Sequence, residues 1–187
     1  MALALPDDFL SRCTQRVSGT HGAKQAAIIA AMQPVYQATL LAHSIDSDFR
    51  ACYFTGQVVH ESDQLCTMEE YASGAAYEGR HDLGNTEPGD GVRFKGRGPF
   101  QLTGRANYAK MGPRLGLDLI AHPEAAADPA NGLVIACLFW NDHGLSALAD
   151  VEDLEGITRR INGGLTGLAS RQAATDKAFA ALGYDAT

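Results

Sequence analysis

The sequence lacks the features that mark several large classes of protein. Its 187 residues carry a formal net charge of −7 with a pI near 5.2, which argues against a globally basic binder of nucleic acid. No apolar run approaches the roughly 20 residues that span a bilayer. The N-terminus also lacks the basic start and long apolar stretch of a signal peptide. We therefore expect neither nucleic-acid binding nor stable membrane insertion, and a chain that accumulates in the cytosol.

Motifs for metals and cofactors are missing as well. The four cysteines form no CxxC pair, and Gln64 stands where a zinc protease would need the second histidine after His60-Glu61. No phosphate loop and no G-x-S-x-G elbow occur. Cys52 and Cys137 lie in apolar helical patterns, which predicts buried free thiols, with one disulfide left open. We predict no metal and no cofactor.

Helical periodicity dominates, which predicts a mainly α protein with a single catalytic domain over residues 1–187. Ile28, Met32 and Val35 share helical spacing, and Pro34 is expected to end one helix and open another. Further helices are predicted over about 129–143, with Asp128 as the cap, and over about 151–161 and 170–182.

The helix that precedes position 62 carries a carboxylate on its apolar face. Ser47 or Asp48 can cap it, and Phe54, Val58 and Glu61 fall on one face at i, i+4 and i+7. An apolar setting disfavours the charged form of a carboxyl group, so Glu61 can hold a proton and donate it to a leaving oxygen. The alternative is a glutamate at a helix end that simply turns to solvent.

A glycine-rich segment follows, from about position 66 to 104, and predicts irregular backbone with short extended pieces. Its acids Glu69, Glu70 and Glu78 are candidates for the second carboxylate that glycoside hydrolysis needs. Cations outnumber acids from position 80 to 110, which indicates either a solvated surface or a positive groove facing an anionic polymer. These cations are Arg80, Arg93, Lys95, Arg97, Arg105 and Lys110.

Five ordered motifs resemble glycoside hydrolase family 19, which contains chitinases and phage endolysins. They are VHES at 59–62, ASGAAYEGR at 72–80, FKGRGPFQLTG at 94–104, NY at 107–108 and INGG at 161–164, within a match over about 50–183. The resemblance implies a mainly α, lysozyme-like fold of two lobes, with the glycine-rich insert lining a sugar-binding cleft. It also implies an inverting mechanism that uses two carboxylates and a water.

The resemblance assigns roles position by position. Glu61 is the general acid. Glu70, nine residues later, is the general base, with Glu69 and Glu78 as fallback choices.

The remaining roles concern the water and the sugar. Thr103 would help Glu70 hold the attacking water, and Gln101 would bind sugar. Asn107, Tyr108 and Asn162 resemble residues that hydrogen-bond sugar hydroxyl and N-acetyl groups. Bracing of the loop is the alternative for Gln101 and Asn107, and Arg97 is either a groove cation or a structural bridge.

Departures from the plant enzymes shape the functional prediction. Thr166 stands where they have a further glutamate, and neither their disulfide framework nor a carbohydrate-binding module is present. We expect a monomeric phage endolysin that cleaves the N-acetylmuramic acid–N-acetylglucosamine link of peptidoglycan and waits in the host bacterial cytoplasm before reaching the cell wall. Alternatives are a chitinase, a secreted antibacterial toxin with the same chemistry, and an inactive glycan-binding module.

Overall fold

The computed structural model describes residues 3–185, and these residues are mainly α-helical, as predicted. Extended structure in this part of the chain is limited to two isolated β-bridges, Glu69 with Arg97 and Arg97 with Leu102. Short 3₁₀ turns lie at Ala75–Tyr77, His81–Leu83 and Pro123–Ala127. The α-helices are α1 (Phe9–Cys13), α2 (Gly19–Ala42), α3 (Asp48–Glu61), α4 (Asp90–Arg93), α5 (Arg105–Leu115), α6 (Pro129–Asp142), α7 (Leu145–Ala149), α8 (Leu154–Asn162) and α9 (Leu168–Ala181).

The described residues form two compact units. The first unit draws on Met1–Thr67 and Cys137–Thr187, and the second on Met68–Ala136. Glu61 therefore belongs to the first unit and Glu70 to the second. A single domain over residues 1–187 stays a prediction, because compactness alone does not say whether each unit folds independently.

An aromatic core fills the first unit. Tyr36 of α2, Phe54 of α3 and Trp140 of α6 are all fully buried. The ring centroids lie 6.4 Å apart from Tyr36 to Phe54 and 5.4 Å apart from Phe54 to Trp140. Burial of side chains this large contributes roughly 2 kcal/mol or more each, so Phe54 anchors α3 to both α2 and α6.

Helix α3 begins and ends as the sequence predicts. The Ser47 hydroxyl accepts a hydrogen bond from the Arg50 N–H at 3.3 Å, which caps the first turn. Phe54 and Val58 are buried, and Glu61 is the last helical residue, with its side chain 22% exposed. The predicted shared face is confirmed.

A close approach of α3 to α9 occurs at Gly56. A Cβ atom added there would collide with the Thr175 hydroxyl and would lie 2.9 Å from the Thr175 backbone nitrogen. Only glycine permits so short a distance between the helices, so the backbone of α3 at Gly56 contacts the Thr175 side chain of α9. This contact brings the buried side chains of α9 against those of α3.

The prediction that Pro34 divides a helix in two is wrong. Helix α2 runs through it without interruption. Proline removes one backbone hydrogen bond at a cost of about 3 kcal/mol. Met32, Tyr36 and Leu40 are fully buried on both sides of it, and this packing outweighs the loss. Val35, which shares helical spacing with Ile28 and Met32, is 38% exposed.

Helices α6 and α8 agree with the predicted caps and ends, but the start of α8 differs from the prediction. Asp128 caps α6, because its carboxylate accepts hydrogen bonds from two N–H groups of the first turn. The helix predicted from Val151 begins only at α8, since Asp153 accepts from the Gly156 N–H at 2.8 Å and sets the start there. Gly163, at φ +76°, ends it as expected.

Carboxylates hold the irregular backbone of the second unit. Glu78 accepts from the N–H groups of Gly89 at 2.7 Å and Gly91 at 2.9 Å. Asp90, which is 1% exposed, accepts from the Glu87 N–H at 3.0 Å and from two nitrogens of the Arg105 guanidinium. A segment this rich in glycine thus gains its fixed shape from charge-assisted hydrogen bonds rather than from strands.

All four cysteines are buried free thiols, which confirms the prediction for Cys52 and Cys137 and answers the open question of a disulfide. Within residues 3–185, no helix has both the length and the apolar character required to cross a lipid bilayer.

Candidate active site

Glu61 lies against a buried guanidinium group. Its Oε1 atom accepts a hydrogen bond from Arg171 Nη2 of α9 at 2.5 Å. The side chain of Arg171 is 1% exposed, whereas that of Glu61 is 22% exposed. The apolar setting predicted for Glu61 is therefore interrupted by a positive charge, which fixes one carboxyl oxygen, while the group remains partly accessible at the surface.

A second buried contact fixes Arg171 itself. Its Nη1 atom donates to Gln57 Oε1 at 2.7 Å, and Gln57 is fully buried one helical turn before Glu61. The sequence patterns pointed to neither residue. A signal exists in hindsight, because Gln57 precedes Glu61 by four residues and Arg171 shares a helix face with the buried Ala174 and Ala178.

The neighbouring His60 is a neutral side chain in this environment. Burial, together with the positive charge of Arg171, lowers the pKa of His60 below its ordinary value. Its Nδ1 atom is 2.9 Å from the Ser170 hydroxyl, and a Cβ atom at Gly167 would collide with its ring. His60 thus packs against the start of α9.

Glu70 is held by two neutral donors. Its Oε1 atom accepts from the Gly96 N–H at 2.9 Å, and its Oε2 atom accepts from the Tyr77 hydroxyl at 3.0 Å. Burial, together with the hydrogen bond to Glu70, raises the pKa of Tyr77, so this hydroxyl keeps its proton at neutral pH. No cation neutralises Glu70 in these contacts, which suits a carboxylate that must take a proton from water.

Gly96 brings three of the predicted site residues together. Besides its N–H contact, its carbonyl accepts from the Glu70 N–H at 3.0 Å. A Cβ atom at Gly96 would collide with Gln101 Oε1 and would lie 3.3 Å from Thr103 Oγ1. Glu70, Gln101 and Thr103 therefore surround one glycine, and a side chain there would push the Gln101 amide aside.

The two fallback carboxylates have other partners. Glu69 Oε1 is 3.0 Å from Arg97 Nε and 3.3 Å from Lys95 Nζ, so two cations compensate its charge. Glu78 accepts hydrogen bonds from the Gly89 and Gly91 N–H groups in the backbone turn described above. Among the three acids, Glu70 has the surroundings best suited to a base.

Arg97 and Tyr108, two of the candidate sugar-binding residues, are buried. Arg97 is 7% exposed, and its Nη1 atom donates to Arg93 O at 2.9 Å and to the Tyr108 hydroxyl at 3.0 Å. Tyr108 is fully buried and donates to Lys95 O at 2.7 Å. Burial raises the pKa of Tyr108 to about 12. These contacts correct Tyr108 from a sugar ligand to a structural bridge and favour the bridge over the groove cation for Arg97.

The three predicted amide ligands lie in different settings. Gln101 Nε2 donates to the Gly98 carbonyl at 3.1 Å, and Asn107 Nδ2 donates to the Thr103 carbonyl at 2.7 Å while the residue stays exposed. Both contacts brace the loop, as the alternative interpretation had it. Asn162 is exposed at the end of α8. Sugar binding by these residues stays a prediction.

The predicted positive groove is largely compensated within the second unit. Arg80 pairs with Asp82 and Arg105 with Asp90, each through two nitrogens, and Glu69 holds both Lys95 and Arg97. Arg93 donates to the Ile120 carbonyl. Four of the six cations thus lie in ion pairs with carboxylates, whereas Arg93 contacts a carbonyl and Lys110 is exposed. Across residues 3–185, no three acidic, cysteine or histidine side chains group as metal ligands.

The fold of the described chain is that of the family 19 chitinases. It resembles chitinase C from Streptomyces griseus HUT6037 with a TM-score of 0.67 and 21% identity, covering 96% of this chain and 76% of that one. It resembles the class IV chitinase from Zea mays with a TM-score of 0.69 and 21% identity, covering 96% and 93% respectively. The predicted mainly α, lysozyme-like fold class is thereby confirmed.

The family model for chitinase class I, of glycoside hydrolase family 19, matches residues 25–148. The chain belongs to glycoside hydrolase family 19, as its motifs indicated.

Curated relatives agree with this membership. A family 19 domain-containing protein of Haemophilus influenzae is 36% identical over 103 residues, covering 54% of this chain and 49% of that protein. Acidic endochitinase SP2 of Beta vulgaris is 27% identical over 162 residues, covering 85% of this chain and 55% of that one. The chain spans about half the length of these two relatives.

Proposed function

We propose that this protein hydrolyses β-1,4 links in polymers of N-acetylated amino sugars, with Glu61 as general acid and Glu70 as general base. The observation that carries the proposal is the grouping of Glu70, Gln101 and Thr103 around Gly96, at the positions to which the family pattern assigns the base, the sugar contact and the water contact. Neutral donors leave Glu70 able to accept a proton.

The proposed reaction is a single displacement with inversion. Glu61 transfers its proton to the glycosidic oxygen as the bond from the anomeric carbon to that oxygen breaks. Glu70 removes a proton from a water molecule, whose oxygen forms the new bond to the anomeric carbon, while Thr103 helps to hold that water. Arg171 then stabilises the carboxylate that Glu61 becomes. Both carboxyl groups return to their starting forms by proton exchange with solvent.

Chitin is the substrate that the relatives support, since several of them are named as endochitinases. Peptidoglycan is the second candidate, which would make the protein an endolysin. It is favoured by the departure from plant chitinases at Thr166 and by the exposed Lys110, which could meet the carboxylates of stem peptides. Both polymers present a β-1,4 bond beside an N-acetyl group, so one mechanism serves either.

The test compares Glu61→Gln and Glu70→Gln with wild type on chitin oligomers and on purified peptidoglycan. We expect each variant to lose about 10²- to 10⁴-fold in kcat, because general acid or base catalysis is removed, while glycan binding persists. Mass spectrometry identifies the products, and proton NMR of early products should show the α-anomer expected from inversion of a β-link.

Matched controls and contrary outcomes separate the assignments. Glu69→Gln and Glu78→Gln change adjacent acids of the same segment and should retain most activity. If Glu69→Gln or Glu78→Gln abolishes cleavage and Glu70→Gln does not, the base is reassigned. Muropeptide release without turnover of chitin oligomers supports the endolysin, and the reverse supports the chitinase. Full activity of Glu61→Gln would disprove the acid assignment. If the wild-type protein binds glycan without cleaving it, the protein is a glycan-binding module and not an enzyme.

A further inference from the structure

A buried polar chain connects α3 to the proposed acid through α9. Gln57 Oε1 accepts from Arg171 Nη1 at 2.7 Å, and Arg171 Nη2 donates to Glu61 Oε1 at 2.5 Å. Gln57 is fully buried and Arg171 is 1% exposed. The contact between Gln57 and Arg171 is therefore shielded from water, and the two hydrogen bonds define where the guanidinium lies.

The spacing on α3 explains how one guanidinium serves two residues. Gln57 and Glu61 are four positions apart, which places their side chains one above the other on the same face. Arginine presents its terminal nitrogens in a rigid planar fork, so fixing one nitrogen fixes the direction of the other. An anchor at Gln57 consequently aims Arg171 Nη2 at Glu61.

The Gln57 side chain that anchors Arg171 is neutral, and the proposed acid Glu61 alternates between a protonated and an ionised form. When Glu61 is protonated, its attraction for the guanidinium weakens. The carbonyl of Gln57 does not titrate, so it holds Arg171 in place in both protonation states. A buried carboxylate at position 57 would instead compete with Glu61 for the same positive charge.

We propose that Gln57 is a positioning residue for the acid, because it fixes Arg171 and through Arg171 orients the Glu61 carboxyl group. The inference rests on the proposed function, since it assumes that Glu61 donates a proton.

The first test is Gln57→Leu, which keeps a side chain of similar size and removes the acceptor. We expect kcat on chitin oligomers to fall about tenfold or more while KM changes less than about twofold, because a misdirected acid affects the transition state more than ground-state binding.

The second test is Gln57→Glu, which keeps the length and the acceptor but adds a negative charge near Glu61. We expect kcat at the optimum to remain within about threefold of wild type, with the basic limb of the pH–rate profile moved up by about one pH unit. A nearby like charge favours the protonated form, and the basic limb reports the loss of the acid's proton. The added charge moves this limb whatever the role of Gln57, so the deciding readout is kcat, which is kept in Gln57→Glu and lost in Gln57→Leu only if the acceptor at position 57 orients Arg171.

Thr175→Val is the matched control in the same buried cluster. Within residues 3–185, Thr175 Oγ1 has no hydrogen-bond partner, so its loss leaves the contacts of Arg171 with Gln57 and Glu61 intact. Valine has nearly the same shape, and the pH–rate profile should match that of wild type.

The outcomes separate this inference from the proposed function. Should Glu61→Gln be inactive while Gln57→Leu keeps both the kcat and the pH profile of wild type, the positioning role is overturned and the acid assignment stands. Should Gln57→Leu fail to fold, Gln57→Glu decides, because a tenfold or greater fall of kcat at the optimum, with the acceptor still present at position 57, overturns the proposal. If Glu61→Gln is fully active, the proposed function itself is wrong.

Discussion

At the scale of single residues, the two proposed catalytic carboxyl groups differ in the charge of their partners. Glu61 contacts the guanidinium of Arg171, and Glu70 contacts only the neutral donors Gly96 N–H and Tyr77 hydroxyl in the hydrogen bonds described. Inverting hydrolysis requires one group protonated and the other ionised at the start of the cycle. The two groups thus differ in environment, because the positive charge beside Glu61 can stabilise the carboxylate left after proton transfer, whereas Glu70 has only neutral donors beside it.

Tyr77→Phe tests the environment of the base. The change removes one hydrogen bond donated to the ionised Glu70, so the anion is less stabilised and water activation should require a higher pH. We expect the acidic limb of the pH–rate profile to rise by about half a pH unit or more. Kinetics on soluble chitin oligomers between pH 3 and 9 measure it.

Tyr184→Phe is the control. It also removes a hydrogen bond from a tyrosine hydroxyl to a carboxylate, because the Tyr184 hydroxyl donates to Asp48 at 2.8 Å in the first unit. Its profile should stay unchanged. An unmoved acidic limb in Tyr77→Phe would exclude Tyr77 as a support of the base.

At the scale of elements, each of the two units is stabilised internally by a different kind of contact. In the first, helices pack through an aromatic core and a glycine contact between α3 and α9. In the second, Asp90 at the start of α4 binds Arg105 at the start of α5. The hydrogen bonds from Arg105, ahead of those from backbone N–H groups, lower the pKa of Asp90.

Asp90→Asn should therefore destabilise the protein in a pH-dependent manner. A carboxyl group whose pKa is lowered by folding stabilises the native state fully above its unfolded value, near 3.9, and loses that contribution as the pH falls through its folded value. We expect a loss of about 3 kcal/mol at pH 7, since Arg105 is left without its partner. Urea unfolding at pH 7 and pH 4 should show a smaller difference from wild type at pH 4.

Asp82→Asn is the comparison, because the Arg80–Asp82 pair is exposed. Exposed pairs contribute little, so its unfolding midpoint should stay close to that of wild type. Equal losses in the two variants would contradict the importance given to burial of Asp90.

At the scale of the whole molecule, the chemistry of the four thiols reports on the integrity of the first unit, to which all of them belong. Burial raises the pKa of Cys13 to about 12, and it also raises the pKa values of Cys52, Cys66 and Cys137. Only the thiolate is nucleophilic, so folding removes both access and reactivity.

We expect Ellman's reagent at pH 8 to react with native protein on the order of 100-fold more slowly than with protein in urea. Four thiols per chain should titrate after unfolding without a reductant. A total of two would reveal a disulfide, and rapid reaction of native protein would show that the buried thiols become exposed in solution.

Much of the fold could be predicted because its signals are local. The Ser47 cap, the apolar face of Phe54 and Val58, and the glycine at position 163 act on residues within one or two turns. Pro34 could not be judged from its neighbours, because packing of Tyr36 against Phe54 decides whether the helix survives. For the same reason the sequence predicts a sugar ligand at Tyr108, although burial makes it a bridge, and it leaves two roles open for Arg97.

The sequence by itself determined the family, the mainly helical class and the place of Glu61 at the end of an apolar helix face, because contiguous motifs and periodicity carry that information. Only the tertiary structure decided what each carboxylate contacts. Arg171 lies 110 positions from Glu61, and Gly96 lies 26 positions from Glu70. The role of an acidic side chain depends on the charges and donors within a few ångströms of it, and folding alone assembles those neighbours.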